Sequence, residues 1–311
     1  MDGLSELLED IRFRGRLYCR VEAREPWGLS APPSGVATFH GVLRGAATLR
    51  LQPDDRTAAL RAGDLVVLSH GSGHAIADSR ASMSRTGADG ATTPISIETA
   101  VAAARGSLVR TGGSGARASL VCGAFFTDSR DLPPLFSFLP PLLHVPATEG
   151  GSTLRGLLAL LAAESDRDDG SHASIARLTE ALFVHAMRTW ARAGDPSSST
   201  WLAAMREPKI GAALAQIHRR PAHDWTVDSL ARTVGMSRAA FAGRFHTIVG
   251  EPPVSYLTRW RIYLAARALR ETVRTVAEIA TTVGYETEAS LNRAFKRVMG
   301  VPPGAYRRSA A

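Results

Sequence analysis

The sequence has no long apolar run, and we expect no secretory leader from its acidic start. Its longest uninterrupted apolar stretch runs only from Leu157 to Ala163, whereas a membrane-spanning helix needs about 20 apolar residues. The N-terminus, MDGLSELLED, is acidic where a secretory signal would be basic and then apolar. With 45% hydrophobic and 21% charged residues, the composition is that of a globular protein. We therefore expect a soluble, cytoplasmic protein with no membrane partner.

Lysine is almost absent from the C-terminal third, where only Lys209 and Lys296 are lysines. Part of the arginine excess can therefore be a bias of the genome. The cations are also unevenly placed: from Lys209 onward, 16 Lys and Arg face 7 Asp and Glu, so this third carries the whole basic excess of the chain. A localised positive field attracts polyanions, and nucleic acid is the commonest of these. A solvated, Arg-rich helix face is the alternative.

Aromatic residues are missing from residues 79–116, and this gap divides the pattern of the chain. Residues 14–78 alternate apolar and polar positions between turns, which predicts an all-β sandwich or barrel. We interpret residues 79–116 as a flexible insert with a short helix at IETAVAAA. From Thr153 the apolar period changes from two to 3.6, which predicts helices. The predicted domains are 1–150, a helical connector over 151–204 and a helical domain over 205–311.

The helical domain contains nearly the same phrase twice, TVDSLARTVG from Thr226 and TVAEIATTVG from Thr275. In each copy a capping residue starts a short apolar-striped helix and a glycine ends it. Asp224 or Thr226 caps the first copy, and Ser237 caps the helix that follows its turn. Each copy predicts a helix-turn-helix, a pattern that other αα-hairpins share. The residues that the second helices should bury are Phe241, Phe245 and Ile248 in one copy, and Leu291, Phe295 and Val298 in the other.

A continuous helical stretch, VSYLTRWRIYLAARALRE, separates the two copies. Its uninterrupted part of about 17 residues would be roughly 25 Å long. A rigid helix of that length can hold two short helices about one DNA turn apart, roughly 34 Å, on one face of a duplex. One chain could then contact two successive major grooves.

These motifs, together with AEIATTVGYETEASLNRAFKR and the closing GVPPGAYRR, resemble the AraC-type transcription regulators over residues 205–308. A helical bundle without DNA contact is the alternative. The resemblance implies double-stranded promoter DNA and RNA polymerase as partners, a homodimer, and activation as the commoner mode. Arg293 and Asn292 have the chemistry to read guanine and adenine, whereas Gly243 stands where the family has a long side chain. The implied DNA-binding residues are Ser237, Arg238, Ala239, Ala242, Gly243, Arg244, His246, Thr287, Glu288, Ala289, Asn292, Arg293 and Lys296.

The N-terminal segments ATFHGVLRGAATLRL and GDLVVLSHGSGHAI resemble the two boxes of a cupin barrel. His40, His70 and His74 could hold a divalent metal, since neutral imidazole suits zinc, iron or nickel. The usual carboxylate ligand is missing, so histidines hydrogen-bonded in a barrel that binds no metal are the favoured interpretation. We expect no required cofactor and no enzymatic activity. A cupin metalloenzyme such as a dioxygenase would need the intact ligand set and would leave the basic domain unexplained.

Cys19 in GRLYCRVEA and Cys122 in SLVCGAFF are the only cysteines, and both lie on predicted strands of the β domain. Neighbouring arginines lower a thiol pKa, which favours redox sensing, although most such cysteines are buried small hydrophobes. The subgroup of cupin-fused AraC-type proteins that includes the reactive-chlorine-sensing regulator places cysteines at similar points. A disulfide would need Cα atoms within about 7 Å. A small-molecule effector in the barrel pocket is the alternative signal.

The predicted fold class is therefore α+β and multidomain. It comprises an N-terminal cupin-like β-barrel, a helical connector that supplies a dimer surface or ordinary core packing, and a C-terminal all-α double helix-turn-helix. The predicted function is sequence-specific regulation of transcription, with thiol oxidation as the first candidate signal.

Overall fold

The computed structural model describes residues 13–79, 94–104, 107–127, 139–167, 171–193 and 207–310. The described residues fall into two compact units. The first contains Phe13–Phe126 together with residues 140–193, and the second contains residues 207–310.

Eleven strands in the described residues build the first unit as two sheets. In chain order the strands are β1 (Phe13–Arg24), β2 (Gly28–Ala31), β3 (Ala37–Arg44), β4 (Ala46–Leu51), β5 (Thr57–Arg61), β6 (Leu65–Leu68), β7 (His74–Ala77), β8 (Ile95–Ser96), β9 (Leu108–Gly112), β10 (Arg117–Thr127) and β11 (Leu143–Val145). The six-stranded sheet has the order β11-β6-β3-β10-β1-β9, and the five-stranded sheet has the order β5-β4-β7-β2-β8. The all-β arrangement predicted for residues 14–78 is confirmed.

The hydrophobic core lies between the two sheets, where Cys19 and Val42 of one sheet pack with Leu29 of the other. Several central strands are buried along their whole length, as in the LVVL of β6. Unbroken apolar runs of this kind are typical of strands that are covered on both faces. The six-stranded sheet therefore needs a second cover on its outer side.

The segment predicted as a flexible insert contributes to the β domain. The prediction is wrong for Ile95–Ser96 and Leu108–Gly112, which form strands, whereas the short helix predicted at IETAVAAA is confirmed. Helix α1 (Ile97–Ala103) forms at the expected IETAVAA, and it packs on the core through Val101. Strand β9 then pairs in parallel with β1, with Leu108 opposite Arg20. The remaining residues of the predicted insert beyond Ser79, which are 80–93, 105 and 106, lie outside the described residues.

Helices α2 (Ala147–Glu164) and α3 (Ser171–Ala193) cover the outer face of the six-stranded sheet. A Cβ on Gly41 of β3 would lie 2.3 Å from Leu158, so glycine is what allows α2 to approach this closely. The rings of Phe125 and Phe183 are 4.8 Å apart and join α3 to β10. The described helices of the predicted connector 151–204 are therefore part of the β domain rather than a separate segment. They pack there because the sheet is apolar on both faces.

The second unit is all helical in its regular structure, as predicted. Within the described parts of the chain, no helix has the length and apolar character needed to cross a membrane. The helices of this unit are α4 (Pro208–Arg219), α5 (Val227–Thr233), α6 (Arg238–Val249), α7 (Pro253–Glu271), α8 (Val276–Thr282), α9 (Glu288–Met299) and α10 (Pro303–Ala310).

Candidate functional site

The first helix-turn-helix consists of α5 and α6, and local hydrogen bonds fix both helix starts. Thr226 Oγ1 accepts from the backbone N–H of Ser229 at 3.0 Å, and Ser229 Oγ accepts from the N–H of Thr226 at 2.9 Å. This capping box selects Thr226, not Asp224, as the cap. Gly235 has φ 63, the left-handed conformation that the tight turn requires. Ser237 caps α6, as predicted.

The second helix-turn-helix consists of α8 and α9 and repeats this arrangement. Thr275 and Glu278 form its capping box, Gly284 has φ 89, and Thr287 caps α9. The connection between the two helices spans residues 283–287, against 234–237 in the first unit. The prediction that the second turn is one residue longer is confirmed.

Both recognition helices bury aromatic residues, but the buried stripe differs from the predicted one at its last position. In α6 the fully buried Phe241 and Phe245 are followed by Val249 in place of the predicted Ile248. In α9, Val298 is 40% exposed, against the prediction of burial. The partly buried Met299 packs on the core in its place. In both helices the stripe advances by four residues at each step, so it reaches i+8 rather than i+7.

The residues predicted to face DNA lie on the outer sides of the two recognition helices. Ala242 and Asn292 are partly buried. The hydroxyls of Ser237 and Thr287 accept helix-capping hydrogen bonds, so these two residues also have a structural role. The exposed members are Ser237, Arg238, Ala239, Gly243, Arg244 and His246 around α6, and Thr287, Glu288, Ala289, Arg293 and Lys296 around α9.

The two outer faces differ in chemistry. On α9 the exposed side includes the cations Arg293 and Lys296. On α6 the exposed side includes Gly243, and Arg244 donates to Glu207 at 3.1 Å. Because Glu207 also caps α4, Arg244 joins α6 to the helix before the motif. Each face thus exposes at least one arginine, Arg238 on α6 and Arg293 on α9, and the α6 face has no side chain at Gly243.

Arg261 contacts both helix-turn-helix units, and the sequence pattern does not predict this role. It lies on α7 and donates to the carbonyls of Pro221 at 2.7 Å and His223 at 2.8 Å, in the loop before α5. Its guanidinium also lies 5.7 Å from the ring centre of Tyr285, in the turn of the second unit. In sequence it is one of several arginines of α7. Only the position of the side chain relative to those two loops shows its internal role.

A second group of predicted residues lies inside the β domain. Cys19 on β1 and Cys122 on β10 belong to adjacent strands, and an interaction with Cys19 raises the pKa of the Cys122 thiol. His40 on β3 is directly opposite Cys122, and its Nδ1 lies 3.1 Å from the Cys122 sulfur. The Nε2 of His40 is 2.8 Å from the Nε2 of His74, which comes from the other sheet. The structure therefore brings both predicted cysteines and two of the three predicted histidines together.

Burial controls the protonation of this group, because all four side chains are at most 3% exposed. Loss of hydration lowers the pKa of His40 well below its usual value, and the neighbouring His74 lowers it further. Burial also lowers the pKa of His74. The interaction with Cys19 and burial together raise the pKa of Cys122. At neutral pH both imidazoles and the Cys122 thiol are therefore uncharged.

His70 does not share the environment of the other two histidines, since it is exposed while His40 and His74 are buried. In the part of the chain that the structure describes, no three His, Cys, Asp or Glu side chains are arranged to hold a metal ion. His40 directs its two ring nitrogens at different partners, a thiol and an imidazole. The predicted set of His40, His70 and His74 is thus not assembled as a ligand set.

Comparison with known proteins places two family models on the chain. A cupin model matches residues 2–192, and a helix-turn-helix domain model matches residues 230–309. An AraC-like transcription regulator of Streptomyces lividans is 35% identical over 99% of this chain and 98% of its own length. The HTH-type transcriptional regulator AlkR of Acinetobacter baylyi is 30% identical over 100% of both chains. The RCS-specific HTH-type transcriptional activator RclR of Escherichia coli is 29% identical over 99% of this chain and 97% of its own.

Among solved structures, the DNA-binding domain of AdpA in complex with a target DNA is 29% identical. The match covers 33% of this chain and 91% of that chain, with a TM-score of 0.32.

Proposed function

Because the chain belongs to the AraC-type transcription regulators that carry an N-terminal cupin domain, we propose that oxidation of Cys19 and Cys122 controls its action at promoters. The observation that carries this proposal is the pair of buried, interacting thiols on adjacent strands. The chain would then bind DNA through α6 and α9 and respond to an oxidant through the β domain.

Strand geometry supports a disulfide between the two cysteines. Adjacent strands lie about 4.8 Å apart, and a disulfide needs Cα atoms within about 7 Å. The two thiols are both buried, and the interaction with Cys19 raises the pKa of Cys122. Because α3 packs on β1, a new bond across β1 and β10 would act on the strand that carries this helix. Similarity to a relative named an RCS-specific transcriptional activator also supports an oxidant as the signal.

The DNA-binding part of the proposal rests on the exposed face of α9. Arginine makes bidentate contacts with guanine and asparagine with adenine, and Arg293 and Asn292 are successive residues of this helix. The α6 face would mainly fix the position of the chain on the phosphate backbone. Activation through RNA polymerase and assembly as a homodimer complete the proposal, since a two-fold dimer would double the number of grooves contacted.

The test measures operator binding and promoter output with and without hypochlorous acid, for the wild type and for Cys19→Ser and Cys122→Ser. We expect the wild-type output to change with oxidant, and both variants to keep their unoxidised DNA affinity but lose the response. Unchanged affinity before oxidation serves as the folding control. A normal response in both variants would overturn thiol sensing.

A small-molecule signal is the second candidate, and one cavity favours it. An open cavity of about 750 Å³ lies over β1, β3, β9 and β10. Its lining includes Arg24, Arg44, Arg110 and Arg117, and Glu22 is the one carboxylate among the described lining residues. Such a lining suits an anionic effector. If the cysteine variants respond normally, this cavity is the first place to look for a ligand, and Arg117→Ala is the first variant to test.

A further inference from the structure

The two cysteines are the end of a longer row of buried polar groups. The row passes from Cys19 to Cys122, from Cys122 to His40 over 3.1 Å, and from His40 to His74 over 2.8 Å. It ends where Nδ1 of His74 meets the backbone carbonyl of Ser72 at 2.9 Å. Three adjacent strands and the facing sheet supply these groups. Neither the proposed disulfide nor DNA binding explains why two histidines are buried beside a thiol.

The bond between His74 and the Ser72 carbonyl fixes the direction of the other hydrogen bonds in this row. A carbonyl oxygen only accepts, so His74 carries its proton on Nδ1 and has a lone pair on Nε2. His40 must then donate from its Nε2 to His74. Because a neutral imidazole carries one N–H, the Nδ1 of His40 is left as an acceptor, and the Cys122 thiol donates to it.

The unprotonated Nδ1 of His40 therefore faces the thiol proton of Cys122, which Cys122 must lose in order to react. The thiolate is the nucleophile in thiol oxidation. Cys122 holds its proton tightly, because the neighbouring Cys19 and burial raise its pKa. Without a base, little of the reactive form would exist at neutral pH. A histidine at hydrogen-bonding distance is a common means of activating a cysteine.

We propose that His40 is the general base that removes the proton of Cys122 when an oxidant arrives, and that His74 is a positioning residue that fixes the His40 tautomer. This inference rests on the proposed thiol function and names the residue that drives it. It also gives the two buried histidines of the cupin boxes a role in which both ring nitrogens of His40 are used.

The step balances for a hydroperoxide, ROOH. The Cys122 sulfur attacks the terminal oxygen while its proton passes to Nδ1 of His40. The O–O bond breaks, ROH leaves with that proton, and Cys122 becomes a sulfenic acid. The Cys19 sulfur then attacks the Cys122 sulfur, the S–O bond breaks, and water leaves with the Cys19 proton. Two thiols are oxidised to one disulfide, and one hydroperoxide is reduced.

The test is the second-order rate constant of Cys19–Cys122 disulfide formation with hydrogen peroxide, followed by alkylation and mass spectrometry of the full-length chain. His40→Asn is the central variant, because its amide oxygen can still accept from Cys122 but cannot take the proton. His74→Gln keeps an acceptor for His40 while removing the imidazole. His144→Asn is the control, since His144 contacts Asp64 and is not part of the row.

We expect His40→Asn to slow disulfide formation by about 100-fold at pH 7 and His74→Gln to slow it by about 10-fold, in keeping with general-base catalysis. His144→Asn should react like the wild type. The pH profile separates a base from a packing role. The groups that face His40 are Cys122, His74 and, from the neighbouring strand β6, the apolar Val66.

Because the pKa of His40 is low, this base is unprotonated at every pH of the assay. The wild-type rate should therefore be nearly flat from pH 6.5 to 8. The rate of His40→Asn should instead rise about tenfold per pH unit, because it depends on the small thiolate fraction.

The outcomes distinguish this inference from the proposal on which it rests. If the wild type forms no disulfide, thiol sensing itself fails. If the wild type forms one and His40→Asn forms it at the same rate with the same pH profile, the base is wrong while thiol sensing stands. If His40→Asn does not fold, His74→Gln provides the test instead. Disulfide formation in His74→Gln with the wild-type rate and pH profile would then overturn the inference.

Discussion

Single residues distinguish the exposed faces of the two recognition helices. Arg293 and Lys296 are exposed on α9, whereas α6 exposes Arg238 and Gly243, and its Arg244 donates to Glu207. Base-edge contacts carry sequence information, and phosphate contacts fix position without it. Loss of a base-reading residue should therefore change sequence preference as well as affinity.

Arg293→Ala tests this at one side chain. We expect the variant to lose about 1–3 kcal/mol of operator binding, or about 5- to 150-fold in Kd, and to discriminate less at one base pair. Binding assays across a set of single-base operator variants measure both effects. Arg232→Ala is the matched control, because Arg232 is an exposed arginine on α5, not on a recognition helix, and is paired with Asp228 at 2.9 Å. An equal loss of affinity on every operator would contradict base reading by Arg293.

His218 makes the stability of the C-terminal unit depend on pH. It is buried, Nε2 lies 2.6 Å from the Tyr256 hydroxyl, and burial lowers its pKa to about 3. The unfolded chain takes up this proton near pH 6.5, so the stability is complete above that pH and is lost as pH falls toward 3. The loss should approach about 1.4 kcal/mol per pH unit within that window. Urea unfolding of the wild type and of His218→Gln between pH 7 and 4.5 measures it, and parallel curves would refute the assignment.

Residue identity alone cannot place the thiols beside the histidines. The cysteines and the cupin-box histidines are recognisable from their local sequence, but 82 positions separate His40 from Cys122. Their contact depends on the register of β3 against β10, and a shift of one residue would turn one side chain to the other face of the sheet. The alternation of apolar and polar residues along one strand does not specify its register against another strand.

At the scale of elements, the two glycine turns offer a matched comparison. Both Gly235 and Gly284 have positive φ, but their surroundings differ. A Cβ on Gly235 would meet nothing within 4 Å, whereas one on Gly284 would lie 2.7 Å from the Cα of Ala222. The same substitution should therefore have two different costs.

Gly235→Ala should destabilise the C-terminal unit by about 1 kcal/mol, the cost of a left-handed alanine. Gly284→Ala should cost about 2–4 kcal/mol, because backbone must also move. Urea unfolding followed by tryptophan fluorescence measures both, since Trp225 and Trp260 lie in this unit. Equal costs would show that the loop at Ala222 yields freely, and would argue against close packing between the two helix-turn-helix units.

Elements with local signals can be predicted, and elements with distant partners cannot. The capping residues, the glycine turns and the α7 helix all follow from neighbours within a few positions. The sequence pattern assigns strand β9 to a flexible insert because its pairing partner, β1, lies far away in sequence. The errors at Ile248 and Val298 have another cause. The buried face of a helix can continue at either i+7 or i+8. Packing against the neighbouring helices determines which of these two residues is buried.

At the scale of the whole molecule, the spacing of the two helix-turn-helix units sets how the chain can meet DNA. The 19 residues of α7 span about 28 Å, and Arg261 holds the loop before α5 against the turn of the second unit. A fixed spacing of this kind favours two successive major grooves, whose centres are about 34 Å apart.

Hydroxyl-radical footprinting of the full-length chain on an operator tests that spacing. We expect two protected segments for each chain, about 10 base pairs apart on one face of the duplex. The double variant Asn292→Ala/Arg293→Ala should lose protection of the segment under α9 first, because α6 keeps its backbone contacts, while Arg232→Ala leaves both segments protected. One segment alone, or two on opposite faces, would mean that the two units do not act as a rigid pair.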